Sequence, residues 1–247
     1  MADPPPFLQP FVLPIAEAER RREGIIDVYT PPGDNGLPRP AVVFIHGGPL
    51  PPEVQPRPRD WPVFTGYGSF AASSGVVGVT VEHRLHSLAD YSTAADDVAS
   101  AVAQARALDE VDPDRVALWF FSGGGLLSAD WLAQPPPWLR CIAASYPLLA
   151  PLPGWDVDAR FRPVEALRTA GSVPILLTRV GREQPDIAAT VEAFTEAAER
   201  HHVAVDVIDV PDGQHSFDML DHTDSSRAAV TEAMTRVTAA VHAETPS

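Results

Sequence analysis

"VALWFFSGGG", residues 116–125, runs from an apolar stretch straight into a serine and three consecutive glycines. The stretch "VALWFF" reads as a strand, and "LLSADWL" (126–132) behind the glycines reads as a helix. Glycine is a poor way to begin a helix, at about 1 kcal/mol below alanine for each interior position. Two readings compete. Either residues 122–125 are a flexible turn, or the backbone takes a path that side chains forbid and holds Ser122 up for chemistry.

The same change of period recurs on both sides of this point. "GIIDVYT" (24–30), "AVVFIH" (41–46), "VVGVTVEH" (76–83), "CIAASY" (141–146), "PILLTRV" (174–180) and "VAVDVIDV" (203–210) are short apolar runs that read as strands. "STAADDVASAVAQARAL" (92–108) carries Val98, Val102, Ala105 and Leu108 on one face, behind a Ser92/Thr93 cap, and stops before Asp112-Pro113. "DIAATVEAFTEAAERH" (186–201) and "SSRAAVTEAMTRVTAAVHA" (225–243) are further helices. Strands separated by helices must run parallel, because a hairpin cannot join parallel neighbours. The expected fold is α/β: a mostly parallel, doubly wound sheet with helices on both faces.

Bulk properties narrow the function classes. A chain of 247 residues that is 45% hydrophobic fits one large core, with residues 1–23 as a Pro-rich and then charged N-terminal arm and 24–247 as a single domain. With 33 acidic against 18 basic residues the net charge is -15, which repels nucleic acid and anionic membrane surfaces. A small molecule is the expected partner. The single cysteine, Cys141, leaves no intramolecular disulfide and no cysteine-rich metal site. Neither a signal peptide nor a stretch of membrane-spanning length is visible, so a cytoplasmic protein is expected.

In a doubly wound sheet ligands bind beyond the carboxyl ends of the strands. The loops there read "HGGP" (46–49), "SGGG" (122–125), "GREQPD" (181–186) and "DGQHSFD" (212–218). A serine, then an acid, then a histidine, each after its own strand, is the chain order of the α/β-hydrolase triad. On these motifs residues 24–242 resemble the α/β-hydrolase superfamily, in particular its dienelactone-hydrolase-like and HGG-type esterase branches.

The resemblance implies roles. Ser122 is the nucleophile and His215, in a Gly-x-His-x-Phe segment, its base. The acid that fixes the imidazole tautomer is Glu183, with Asp186 close behind. Backbone N–H groups of Gly48 and Gly123 form the oxyanion hole, where one donor is worth on the order of 3 kcal/mol, and Gly47 lets the loop turn. His46 pins that loop. Trp61, Phe64 and Tyr67 from one loop, and Leu152, Trp155 and Phe161 from a short segment where relatives insert a lid, are expected to wall an open, apolar pocket. Arg84 and Asp97 match a structural pattern of the family. Side chains do the chemistry, with no metal and no cofactor.

Two positions depart from the family pattern. Phe120 stands where Gly-x-Ser-x-Gly has a small residue, and Pro49, which has no N–H, stands where many relatives carry a third glycine. The expected reaction is hydrolysis of a carboxylic ester or lactone of a small or flat substrate through an acyl-enzyme. The alternative is a protein of the same fold that does no hydrolysis, either a lyase or cyclase or a ligand-binding module. A serine peptidase is a weaker reading, since no propeller-like domain accompanies these motifs.

Overall fold

The computed structural model describes residues 5–33 and 36–243. Eight strands form one sheet: β1 (Arg20–Glu23), β2 (Ile26–Tyr29), β3 (Arg39–Ile45), β4 (Val77–Val81), β5 (Val111–Phe121), β6 (Leu139–Ser145), β7 (Ile175–Arg182) and β8 (Val205–Gln214). Their order is β1-β2-β4-β3-β5-β6-β7-β8, and from β4 to β8 every pair is parallel. This is the α/β-hydrolase fold. The antiparallel edge of β1 and β2 brings residues 20–23 into the sheet, so the last part of the expected arm is a strand paired with β2.

Helices cover both faces, as the alternating chain requires. Helix α1 (Pro62–Ser73) and the C-terminal helix α7 (Asp224–His242) pack on the face formed by Val42, Phe44, Ala117, Trp119 and Phe121. Helices α2 (Tyr91–Arg106) and α5 (Pro185–His201) cover Val43, Ile45, Leu118, Phe120 and Ile142 on the other. One strand thus feeds both cores through the two-residue period of its side chains. Among the described residues no helix is long and apolar enough to cross a membrane.

Three elements differ from the sequence reading. Of residues 59–67, expected as a loop wall, those from Pro62 on belong to α1; Gly66 and Gly68 disguise the helical pattern, yet Cβ atoms there would overlap the rings of Phe11 and Tyr29. The segment behind the glycines is 3₁₀ over Ser122–Ser128 and becomes α only for Ala129–Ala133 (α3). Helix α2 starts one residue before the expected cap, at Tyr91, behind Asp90, whose carboxylate accepts from the Ser87 hydroxyl at 2.7 Å. The short helices α4 (Pro163–Ala166) and α6 (Phe217–Leu220) complete the set.

Candidate active site

Strand β5 ends at Phe121, and Ser122 turns the chain with φ +51°, a left-handed conformation that costs a non-glycine residue free energy. The glycines explain how the turn closes. A Cβ on Gly123 would overlap the carbonyl oxygen of Gly48, one on Gly124 that of His46, and one on Gly125 would lie 2.5 Å from that of Leu148. Two neighbouring backbone segments, 46–48 and the one carrying Leu148, therefore close directly onto the serine turn, which a flexible loop would not need. The flexible-turn reading is thereby replaced by a packed elbow. Ser122 O accepts from Leu148 N–H at 2.9 Å, and Tyr91 donates its hydroxyl to Gly123 O at 3.1 Å.

Phe120 is accommodated. It pairs with Ile45 on one side and with Ala144 on the other, and it is fully buried in the same cluster as Leu126 and Leu127. The small neighbour, Ala144, leaves the ring its room, and the positive φ at Ser122 is reached with the ring in place.

The three sequence-predicted polar residues come together. Ser122 Oγ lies 2.7 Å from His215 Nε2, and His215 Nδ1 lies 2.6 Å from Glu183 Oε2. With Nδ1–H donating to the carboxylate, Nε2 is left unprotonated and can accept a hydrogen bond from the Ser122 hydroxyl. The Glu183 side chain is only 4% exposed, and its Oε1 accepts from Gln184 N–H at 2.8 Å. Asp186 lies exposed in the first turn of α5 and is not in this chain of contacts. Glu183 reaches His215 because β7 and β8 are adjacent and parallel, with a register shift between Val180 and Arg182 that brings their ends together.

The loop of residues 46–49 sits against Ser122. A Cβ on Gly47 would come within 2.9 Å of Ser122 Cβ, so only glycine lets this loop approach. Gly48 and Gly123 are in backbone contact beside Ser122, and the N–H of Gly123 falls in the first turn of the 3₁₀ segment, where backbone donors lack intrahelical partners. His46 donates from Nδ1 to Gly47 O at 2.6 Å, the pinning role expected of it. Its ring stacks on His83 at 3.6 Å, and His83 donates to His46 O at 3.0 Å. Burial drives the His46 imidazole well below its ordinary pKa and lowers that of His83 to about 4, so both are neutral supports near pH 7.

The expected pocket walls need correction. Phe64, Tyr67 and Phe161 are buried, and Trp61 nearly so: Phe64 packs on Phe121, Tyr67 on Trp119, Phe161 on Tyr91 and Trp61 on Phe7. They are core residues: α1 turns Phe64 and Tyr67 onto one face of the sheet, and Phe161 packs with Tyr91 of α2 on the other. Of the five aromatics, Trp155 keeps the most exposure and packs at the margin of the core with Leu152. Arg84 and Asp97 form a two-pronged ion pair at 2.7 and 2.9 Å, a structural tie across the strand-to-helix loop.

Two residues near His215 escaped the sequence reading. Tyr146, at the end of β6 with φ +38°, sets its ring edge-on to the His215 ring at 5.0 Å. Asp218, fully buried on α6, accepts from the Tyr146 and Tyr67 hydroxyls at 2.9 Å each. Among the described residues, three of the four non-glycine residues with positive φ (Ser122, Tyr146 and Ser216) belong to or adjoin this cluster, which marks it as a strained part of the fold. Among the described residues no group of acids, histidines and cysteines is arranged to hold a metal ion.

Residues 79–244, more than half of the chain, match the Dienelactone hydrolase family. No curated protein sequence matches the chain. Among solved structures it is similar to a puromycin-hydrolyzing peptidase of Mycobacterium tuberculosis (TM-score 0.70, 18% identity), covering 92% of this chain but 40% of that one. It is also similar to esterase 2 of Thermogutta terrifontis (TM-score 0.68, 17% identity, 90% of this chain and 91% of that one). A third similar structure, DphMB1, gives a TM-score of 0.70 at 22% identity over 92% and 88%. Fold, motifs and family match agree, and the chain belongs to the dienelactone hydrolase family, hydrolases built on the α/β-hydrolase fold.

Proposed function

We propose that the protein is a serine hydrolase of carboxylic esters or lactones, with Ser122 as nucleophile, His215 as general base and acid, and Glu183 as the orienting carboxylate. The observation that carries this reading is the continuous chain of contacts, 2.7 Å from Ser122 to His215 and 2.6 Å from His215 to Glu183. As Ser122 Oγ bonds to the carbonyl carbon, its proton passes to His215 Nε2, and the carbonyl π electrons move onto oxygen. The N–H groups of Gly48 and Gly123 hold that oxyanion. Collapse of the tetrahedral adduct breaks the bond to the leaving alkoxy oxygen, which takes the proton from Nε2. Water then repeats the sequence on the acyl-serine and releases the acid.

Esters are favoured over amides because Pro49 has no N–H to add a third donor, and because an alcohol leaves more readily than an amine. The short segment around Trp155 suits a small or flat acyl group.

Ser122→Ala should keep the fold and lower turnover of p-nitrophenyl acetate at least about a thousandfold, leaving only binding and oxyanion stabilisation. A fluorophosphonate should label the wild type at Ser122. A protein that stays unlabelled, or a Ser122→Ala variant that keeps full turnover, would move the assignment to a lyase, a cyclase or a binding module using the same pocket.

A further inference from the structure

Asp218 is a carboxylic acid three residues beyond His215, fully buried, and the triad does not use it. Among the described residues its side-chain partners are two phenols. Tyr67 of α1 donates to Oδ2 at 2.9 Å, and Tyr146 of the β6 end donates its one proton between Oδ1 and Oδ2 at 2.9 Å each. The network continues inward, with Ser145 bonded to Tyr67 and the Trp119 indole N–H donating to Ser145 Oγ at 2.9 Å. On the other side it ends at the base, since the Tyr146 ring lies edge-on to His215 at 5.0 Å.

We propose that Asp218 is a positioning residue that acts through His215: anchored by Tyr67 and Tyr146, it holds the histidine turn and sets a second negative charge behind the imidazole. This rests on the triad reading above. Two facts make the cluster more than core filling. A buried carboxylate carried by neutral donors is costly, and two apolar residues of similar volume would fill the space without that cost. The chain also takes positive φ at Tyr146 (+38°), whose ring lies against His215, and at Ser216 (+63°), the residue that follows His215.

The charge matters because His215 becomes an imidazolium in each half of the proposed reaction. Glu183 meets the proton at Nδ1, and an ionised Asp218 adds attraction at longer range through a low-dielectric interior. The titratable groups that face Asp218 are Tyr146, Tyr67 and His215. Burial pushes its carboxyl up to about 6, against the opposing hydrogen bonds from the two tyrosines. It is therefore mostly ionised when an enzyme works near pH 7 and neutral in mild acid.

The test is an NMR titration of the His215 imidazole, assigned by its loss in His215→Asn, in the wild type, Asp218→Asn and Tyr146→Phe, with folding checked by circular dichroism. Asp218→Asn should lower the midpoint by about half a pH unit or more, since an opposing charge has gone. Tyr146→Phe keeps the ring but withdraws a donor, and it should shift the midpoint the same way by less; it decides the question if Asp218→Asn does not fold. On p-nitrophenyl acetate both should lower kcat several-fold with KM little changed. A midpoint that stays at the wild-type value would overturn the proposal, even with activity lost, because a purely structural role would leave the imidazole unmoved. If the wild type cleaves no ester, the ester reading fails while the titration still decides the coupling.

Discussion

Two aspartates at different places in the sheet are equally buried and differently partnered. Asp27, on β2 near the antiparallel edge, meets Arg22 at 2.7 and 2.8 Å, with Arg20 at 3.5 Å and Arg59 at 3.7 Å. Asp218, on the turn that carries His215, meets only phenol hydroxyls among the described side chains. A guanidinium stays charged at any working pH, whereas a phenol offers one neutral hydrogen bond. The edge of the sheet is clamped by fixed charges, and the reacting end is built from groups whose protonation can change. Residue type and burial therefore do not decide what a buried acid does; the partner does.

Glu183 is a third buried acid, and its partner is an imidazole, which makes it the sharpest test of that rule. Glu183→Gln should lower kcat by about four orders of magnitude, because an amide can hold the wrong imidazole tautomer. Asp186→Asn, at an exposed first-turn position, should leave kcat near the wild-type value. The opposite ranking in steady-state rates would hand the orienting role to Asp186.

Asp27→Ala comes next in size and should act on stability alone. Removing it leaves guanidinium groups without their carboxylate, and a loss of about 3 kcal/mol is expected, at the low end for a broken buried pair because Arg20 and Arg22 reach solvent. Urea unfolding would read the loss, while kcat per folded molecule stays unchanged. If turnover fell in step with stability, the two ends of the sheet would not be separable.

The smallest effect concerns pH. The folded carboxyl of Asp218 titrates at about 6, above its ordinary 3.8, so between these values the folded state holds more protons than the unfolded one. The contribution is thus most favourable below pH 4 and is lost as pH rises through 6, by roughly 2 to 3 kcal/mol. Stability measured by urea at pH 4, 5, 6 and 7, wild type against Asp218→Asn, should converge at the acid end and part in favour of the variant towards neutrality. Parallel curves would mean that the phenols hold the carboxyl ionised throughout.

The meeting of Ser122, His215 and Glu183 was legible because each follows an apolar run at a strand end, where parallel α/β sheets place ligands. Helix α1 was not, since Gly66 and Gly68 look like breakers until Phe11 and Tyr29 are seen occupying the space their side chains would need. Asp218 was hidden for another reason. Its partners lie 151 and 72 residues away, and nothing local separates such an acid from a solvated residue in a first helical turn. Among the expected pocket aromatics Phe64 and Tyr67 went astray through the same α1, whose rings serve the core once the segment is a helix.

The backbone contacts around Ser122 also bear on how the protein can change. Side chains at positions 47 and 123–125 would meet Ser122 or the carbonyl oxygens of Gly48, His46 and Leu148, so this part of the site is closed to variation. New substrate preferences have to enter through the loops outside it, residues 50–57 and 150–156, whose side chains are half-buried or exposed. A mutational library aimed at these packed glycines would return mostly broken proteins, and one aimed at the segment carrying Leu152 and Trp155 would sample function.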